Sequence, residues 1–285
     1  MLAKRIIAYG QLMRLDRPVG SLLLLWPTLW ALWIAGNGMP KASVVAVFIA
    51  GVFLMRSAGC VINDYADRKV DGHVERTKNR PLASGRVTGT EALVLFGLLG
   101  LLALILVFTQ NTLTIIMAFA GAVFATVYPF LKRYTNLPQL GLGIAFSWSV
   151  PMAFAAETAT VPMIAWLVFV LNLIWTIAYD TQYAMVDRPD DLKIGIKSTA
   201  ILFGNYDRLI VGILQALTLA GFWLLGWLEG YGIYYNSSLL LASTMVLWQQ
   251  WLTRHCEPAD CFRAFLNNSW LGGVIFCGLM LQYLA

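Results

Sequence analysis

Nine apolar stretches, each about as long as a bilayer crossing, divide this 285-residue chain and leave few folds open to it. They lie at about 20–37, 42–62, 92–108, 111–129, 139–156, 161–180, 208–228, 233–252 and 268–284. A helix needs about 20 apolar residues to cross the hydrocarbon core. Inside lipid the backbone must satisfy its own hydrogen bonds, and continuous apolar runs do so as helices. The fold class expected is therefore all-α: a multi-pass membrane protein with nine transmembrane helices. Charged residues make up 12% of the chain, against about 25% in soluble domains. Together with a mean hydropathy of +0.69 this excludes an ordinary soluble domain. The stretches at 92–108 and 111–129 are separated by little more than Thr109-Gln110. They read as a tight hairpin, because one continuous helix would overrun the bilayer.

The basic residues orient the chain. Eighteen of the 20 Lys and Arg fall before the first stretch or after the second, fourth, sixth and eighth. Lys41 lies on the other side, and Arg56 lies within a stretch. The positive-inside rule places the N-terminus in the cytoplasm and the C-terminus outside. In a bacterium this is a protein of the inner membrane. The net charge of +5 is topological and carries no nucleic-acid signal. The first 18 or so residues contain Arg and Asp and lack a small-residue cleavage site, so no removable signal peptide is expected. They read as an amphipathic lead-in at the interface. The four cysteines form no CxxC pair, and free thiols are expected.

Seven of the 15 acidic residues, or eight counting Asp180 at the very end of the sixth stretch, crowd into two loops on one side of the membrane. Asp64, Asp67, Asp71 and Glu75 follow the second stretch; Asp180, Asp187, Asp190 and Asp191 follow the sixth. Asn63, Asp67 and Asp71 recur every four residues, the spacing of one helix face, and so do Asp187 and Asp191. The offset from Asp67 to Asp187 and from Asp71 to Asp191 is the same 120 residues. The chain thus reads as one domain, 1–285, made of two four-helix pseudo-repeats at about 20–130 and 139–253, plus a ninth helix. Repeats related by an axis along the membrane normal would aim both acid sets at a central cavity opening to the cytoplasmic side. The bland alternative is that these acids cap helices. A cap needs one acid, and a carboxylate at a helix C-terminus opposes the dipole.

Clustered carboxylates repel one another and call for a hard divalent cation, most often Mg²⁺. Mg²⁺ commonly binds a few carboxylates together with phosphate oxygens, which implies a phosphorylated substrate. Nearby cations that suit its oxygens are Arg68, Lys69, Arg76, Lys78, Arg80, Lys132, Arg133 and Lys197. No P-loop and no Ser/His/Asp set is present; His73 and His255 are the two histidines. A diphosphate held at a bilayer suggests a lipid tail beneath it. A departing diphosphate would be stabilised by cations, and an apolar pocket would keep water from the carbon left behind.

These residues resemble a known family. Asn63-Asp-Tyr-Ala-Asp-Arg-Lys-Val-Asp71, followed by Arg76-Thr-Lys-Asn-Arg-Pro-Leu-Ala-Ser-Gly85, is similar to the first motif of the UbiA superfamily of intramembrane prenyltransferases. Tyr179 and Asp187-x-x-x-Asp191-x-x-x-Gly195 resemble the second. The runs Leu15–Trp30 and Tyr179–Asp187 resemble the bacterial branch that prenylates 4-hydroxybenzoate in ubiquinone biosynthesis. The resemblance implies a Mg-dependent aromatic prenyltransferase with polyprenyl diphosphate and 4-hydroxybenzoate as substrates. It implies that Asn63, Asp67, Asp71, Asp187 and Asp191 organise Mg²⁺. Arg68, Lys78, Tyr128, Lys132 and Lys197 would bind the diphosphate. For the acceptor carboxylate the candidates are Arg56, Arg17 and Arg133. Arg56 stands out because an arginine inside a span is costly. Some family members carry Lys-Asp where this chain has Tyr183-Ala184, so the second motif has fewer ligands here; Asp180 would compensate. Asp64 reads either as a ligand or as a solvated neighbour.

Three other readings stand beside this one. A transporter would account for repeated halves and intramembrane charge, but the charged clusters lie on one side only. A CDP-alcohol phosphotransferase would show Asp-Gly-x-x-Ala-Arg, and Asp71-Gly-His-Val-Glu-Arg76 departs from it. A sister prenyltransferase acting on haem, homogentisate or a naphthoate would share both motifs.

Overall fold

The computed structural model describes residues 2–69, 71–73 and 77–285, apart from the side chains of Leu2, Ala3 and His73. Glu75 and Arg76, counted above among the motif residues, lie outside the described residues. Within them every regular element is helical. Helix α1 (Leu2–Leu12) precedes α2 (Val19–Ala35), α3 (Ala42–Asp67), α4 (Gly89–Val107) and α5 (Thr112–Leu131). The second half comprises α6 (Pro138–Ser147), α7 (Ser149–Thr158), α8 (Met163–Ile194), the short α9 (Thr199–Phe203), α10 (Asp207–Leu228) and α11 (Ile233–Leu252). Helix α12 (Pro258–Leu284) closes the chain.

Each of the nine apolar stretches is helical, and seven helical segments are long and apolar enough to cross a membrane. The other two fall short for plain reasons. Helix α2 has only 17 residues, and α11 carries Asn236, Ser237, Ser238, Ser243, Thr244, Gln249 and Gln250 among its apolar residues. The stretch at 139–156, expected as one span, is interrupted at Trp148. Pro151 has no N–H to donate to the Ser147 carbonyl one turn earlier, so the ladder breaks there. The sixth stretch runs on well past 180. At about 1.5 Å per residue, the 32 residues of α8 exceed a hydrocarbon core of about 30 Å. The end that carries Asp187 and Asp191 therefore projects beyond it, and Gly195, in the left-handed region (φ 71°), stops the helix.

Caps fix the hairpin of α4 and α5. Thr88 and Glu91 form a reciprocal capping box at the start of α4. Asn111 accepts from the Thr114 N–H at 3.0 Å and donates to the Ala155 carbonyl at 2.6 Å, pinning the turn to the end of α7. The two helices nevertheless scarcely touch along their length. Helix α4 packs on α3, and α5 packs on α6 and α7. The main apolar core lies elsewhere, among α2, α7, α8, α10, α11 and α12. Trp30, Trp175, Phe222, Leu239 and Ile275 are nearly or fully buried there. Trp175 joins a set of buried amides: it donates to Asn268, which donates to Gln182, which donates to Gln249. Gln249 also accepts from Gln215 and donates to Asn267. Inside a membrane such groups need partners, and here one chain of bonds ties α8, α10, α11 and α12 together.

Candidate active site

The gap between α4 and α5 belongs to a cavity of about 350 Å³ that runs along α3, α4, α5 and the α6–α7 break. Its lining is apolar and rich in small residues, among them Gly51, Gly59, Gly100, Gly121 and Ala122. Among the described residues Arg56 is the one charged group in that lining, joined by Tyr128. Arg56 fits against Gly20, where a Cβ would come within 2.3 Å of its guanidinium. It lies 5.8 Å from the centre of the Phe146 ring, and its Nε is buried without a hydrogen-bond partner. Tyr128, Tyr179, Tyr183 and Asp180 are within electrostatic reach of it. Arg17 and Arg133, the other acceptor candidates, do not line the cavity. Arg17 is exposed beside Asp16. Arg133 donates to the Ala66 carbonyl at 2.6 Å, at the end of α3.

At one end of the cavity the sequence spacing becomes geometry. Ile62 and Tyr128 line the wall; Asn63 follows the first, and Asp67 and Lys132 stand one turn beyond Asn63 and Tyr128. Asp67 and Lys132 form an ion pair between α3 and the end of α5. Asp71 departs from the expected helix face. Helix α3 ends at Asp67, and Asp71 begins a separate 3-10 turn, Asp71–His73. Three interactions favour that ending: the helix dipole disfavours further carboxylates, Arg133 takes a terminal carbonyl, and Arg80 draws Asp71 to 3.0 Å. Burial pushes the Asp71 carboxyl above its ordinary pKa, with Asp64 and Asp67 adding to the rise and Arg80 opposing it.

Asp64 is neither solvated nor open. It is 1% exposed and bonded through both oxygens to Arg14, at 2.7 and 2.9 Å, and to Arg80 at 3.1 Å. Arg14, 50 residues away, carried no sequence signal beyond its topological sign. Arg188, inside the second acidic segment, pairs with buried Asp207 at the start of α10, which fixes the projecting end of α8. Asp187 and Asp191 lie one turn apart on that end, half-buried. A backbone bond from Lys197 to the Lys132 carbonyl, at 3.1 Å, joins the loop after α8 to the loop after α5. Of the remaining diphosphate candidates, Arg68 is exposed and stacks 4.0 Å from the Tyr65 ring. Lys78 is exposed, and exposed Lys197 donates to the Tyr134 carbonyl at 3.3 Å. Tyr183 packs against Phe262 and Phe265.

Among the described residues no three His, Cys, Asp or Glu side chains come together closely enough to hold an ion by themselves. Basic side chains occupy the first set instead, because like charges this close need compensation. All four cysteines are free.

The family model for UbiA prenyltransferases matches residues 24–272. The chain belongs to the UbiA prenyltransferase family. A UbiA-family relative in Vibrio campbellii, named a 4-hydroxybenzoate octaprenyltransferase, is 61% identical over 283 residues, covering 99% of this chain and 100% of that one. The UbiA fold is also found in the apo structure of a UbiA homologue from Aeropyrum pernix K1. Its TM-score is 0.81 at 22% identity, over 91% of this chain and 97% of that one. A UbiA homologue from Archaeoglobus fulgidus, bound to GPP and Mg²⁺, gives 0.75 at 17% identity, over 97% and 99%.

Proposed function

We propose that this chain transfers a polyprenyl group from polyprenyl diphosphate to the ring carbon ortho to the hydroxyl of 4-hydroxybenzoate, giving 3-polyprenyl-4-hydroxybenzoate in ubiquinone biosynthesis. The observation that carries the reading is the cavity: apolar walls, a single arginine, and an acidic, cation-bearing segment at one end. The 61% identity to a relative named for that reaction supports the acceptor and the prenyl donor.

The donor set suits Mg²⁺, since Asp67, Asp71, Asp187 and Asp191, with the Asn63 amide, are hard oxygen ligands. Burial raises the Asp71 carboxyl first, and the nearby Asp64 and Asp67 add negative charge that a bound cation would offset alongside Arg80. When bound, Mg²⁺ neutralises charge that builds on the leaving diphosphate. Lys132 and Arg80 now pair with Asp67 and Asp71. On binding they turn to the diphosphate oxygens, helped by Tyr128, Lys78, Lys197 and Arg68. Arg56 holds the acceptor carboxylate in the cavity. The C–O bond to the allylic carbon breaks, and its electron pair leaves with the diphosphate. The ring carbon ortho to the phenol oxygen attacks the allylic carbon, and the ring proton passes to a base. Apolar cavity walls, in which Arg56 is the one charged group among the described residues, keep water from the allylic carbon.

The nine helical stretches cross the membrane nine times in this reading. The acidic end faces the cytoplasm, the C-terminus lies outside, and the halves at about 20–130 and 139–253 are equivalent units of one domain. The bacterial relative and the basic loops support an inner-membrane location with the N-terminus inside. Purified enzyme in nanodiscs, given a polyprenyl diphosphate, Mg²⁺ and a panel of labelled aromatic acids and quinol precursors, should prenylate 4-hydroxybenzoate in preference to the others. EDTA should stop it and Mg²⁺ restore it. Preference for another acceptor would overturn the substrate, and undiminished turnover in EDTA would overturn the metal.

A further inference from the structure

We propose that Arg14 and Asp64 are positioning residues for the diphosphate end of the site. Arg14 secures Asp64, and Asp64 holds Arg80 where its guanidinium also reaches Asp71. One nitrogen of Arg80 serves both carboxylates, at 3.1 Å to Asp64 and 3.0 Å to Asp71. Both Asp64 oxygens are already taken by Arg14. With that many donors on it, Asp64 has little left to offer a metal ion and acts as an anchor.

The backbone supports a special role for Arg14. It lies in the left-handed region at φ 58°, a costly conformation for a side chain of this size. Its other terminal nitrogen donates to the Gln11 carbonyl at 2.8 Å, which braces the guanidinium. Helix α1 fixes where Arg14 starts from. Buried Ala8 and Leu12 pack with Ala58 and Val61 of α3 and Ala92 of α4. Tyr9 donates to Glu91 at 2.9 Å on the α4 cap. The strained residue is thus held from both sides and pointed at one buried carboxylate. Remove it, and Asp64 is left with Arg80 as its partner, which draws Arg80 away from Asp71.

The inference rests on the proposed binding of a diphosphate here, so its test separates binding from turnover. Arg14→Gly, Arg14→Lys, Asp64→Asn and the double variant Arg14→Gly/Asp64→Asn are purified alongside wild type. Their thermal stability is measured, together with binding of an unreactive prenyl thiodiphosphate and the KM of each substrate. Glycine suits the left-handed backbone, so Arg14→Gly removes the guanidinium without added strain. Expected for Arg14→Gly and Asp64→Asn is a roughly tenfold rise in donor KM, matched by weaker analogue binding, with acceptor KM unchanged. Arg14→Lys recovers most of the loss. The double variant is no worse than the poorer single, because the residues act in series. Unchanged donor KM and analogue binding in Arg14→Gly would overturn the proposal, as would effects that simply add. If Arg14→Gly fails to fold, Arg14→Lys compared with Arg14→Gln decides by the same readouts. Analogue binding needs neither acceptor nor turnover, so it decides the roles of Arg14 and Asp64 even if 4-hydroxybenzoate proves the wrong acceptor.

Discussion

Single charges do most of the discriminating in this chain because so few of them are placed among apolar walls. Arg56 is the sharpest case. It sits in the cavity lining among apolar and aromatic residues, with Asp180 within electrostatic reach, and its Nε lacks a hydrogen-bond partner. A charge-assisted hydrogen bond to a carboxylate is worth about 1.5–3 kcal/mol. Arg56→Ala should therefore raise the acceptor KM by roughly 10- to 100-fold and leave the donor KM nearly unchanged. Steady-state kinetics with each substrate varied in turn measures the split, and equal effects on both would refute the role. Asp67→Ala and Asp191→Ala should abolish turnover while the protein still folds, as followed by product formation and thermal unfolding. Retained activity in either would remove that residue from the metal set.

At the scale of helices, α4 and α5 are joined by a tight turn yet stand apart, and the space between them matters. Gly100 on α4 lines the cavity, and an added Cβ there meets no atom within 4 Å. Gly100→Leu should fold normally but fill part of the cavity. It should slow transfer from a long prenyl diphosphate several-fold more than from a two-isoprene donor. A panel of donor lengths tests this, and equal slowing would mean that the cavity does not take the tail. In the other half the helices are held by amides. Gln249 bonds to Gln182, Gln215 and Asn267, each bond being worth roughly 0.6–1.7 kcal/mol in a membrane interior. Gln249→Leu should cost about 2–5 kcal/mol, seen as a lower Tm in detergent, with both KM values unmoved. A shift in either KM would place the network in the site.

For the whole molecule, topology makes a prediction that needs no substrate. Cys256 is exposed between α11 and α12, on the side that the basic loops assign to the cytoplasm. A membrane-impermeant maleimide should leave Cys256 unlabelled in right-side-out spheroplasts and label it in inverted vesicles. A Glu229→Cys substitution, in the turn between α10 and α11, should show the reverse. Labelling of both from one side would undo the nine-crossing reading.

Apart from the break at Trp148 and the length of α8, the sequence by itself determined that the apolar stretches are helical, their order and the two acidic segments, because these follow from local periodicity and from the cost of charge in lipid. The 120-residue offset between the two acid sets and the one-turn spacing of Asp187 and Asp191 were legible for the same reason, and Arg56 stood out as a charge in an apolar run. What only the tertiary structure decided concerns partners far apart in the chain. Asp71 left the helix face because Arg133 takes the Ala66 carbonyl at the end of α3 while Arg80 holds the Asp71 carboxylate apart from it. Asp64 became a buried anchor because Arg14 reaches it across 50 residues. Local spacing says which side chains share a face. Which cation neutralises which acid depends on how helices pack, and that is a property of the folded chain.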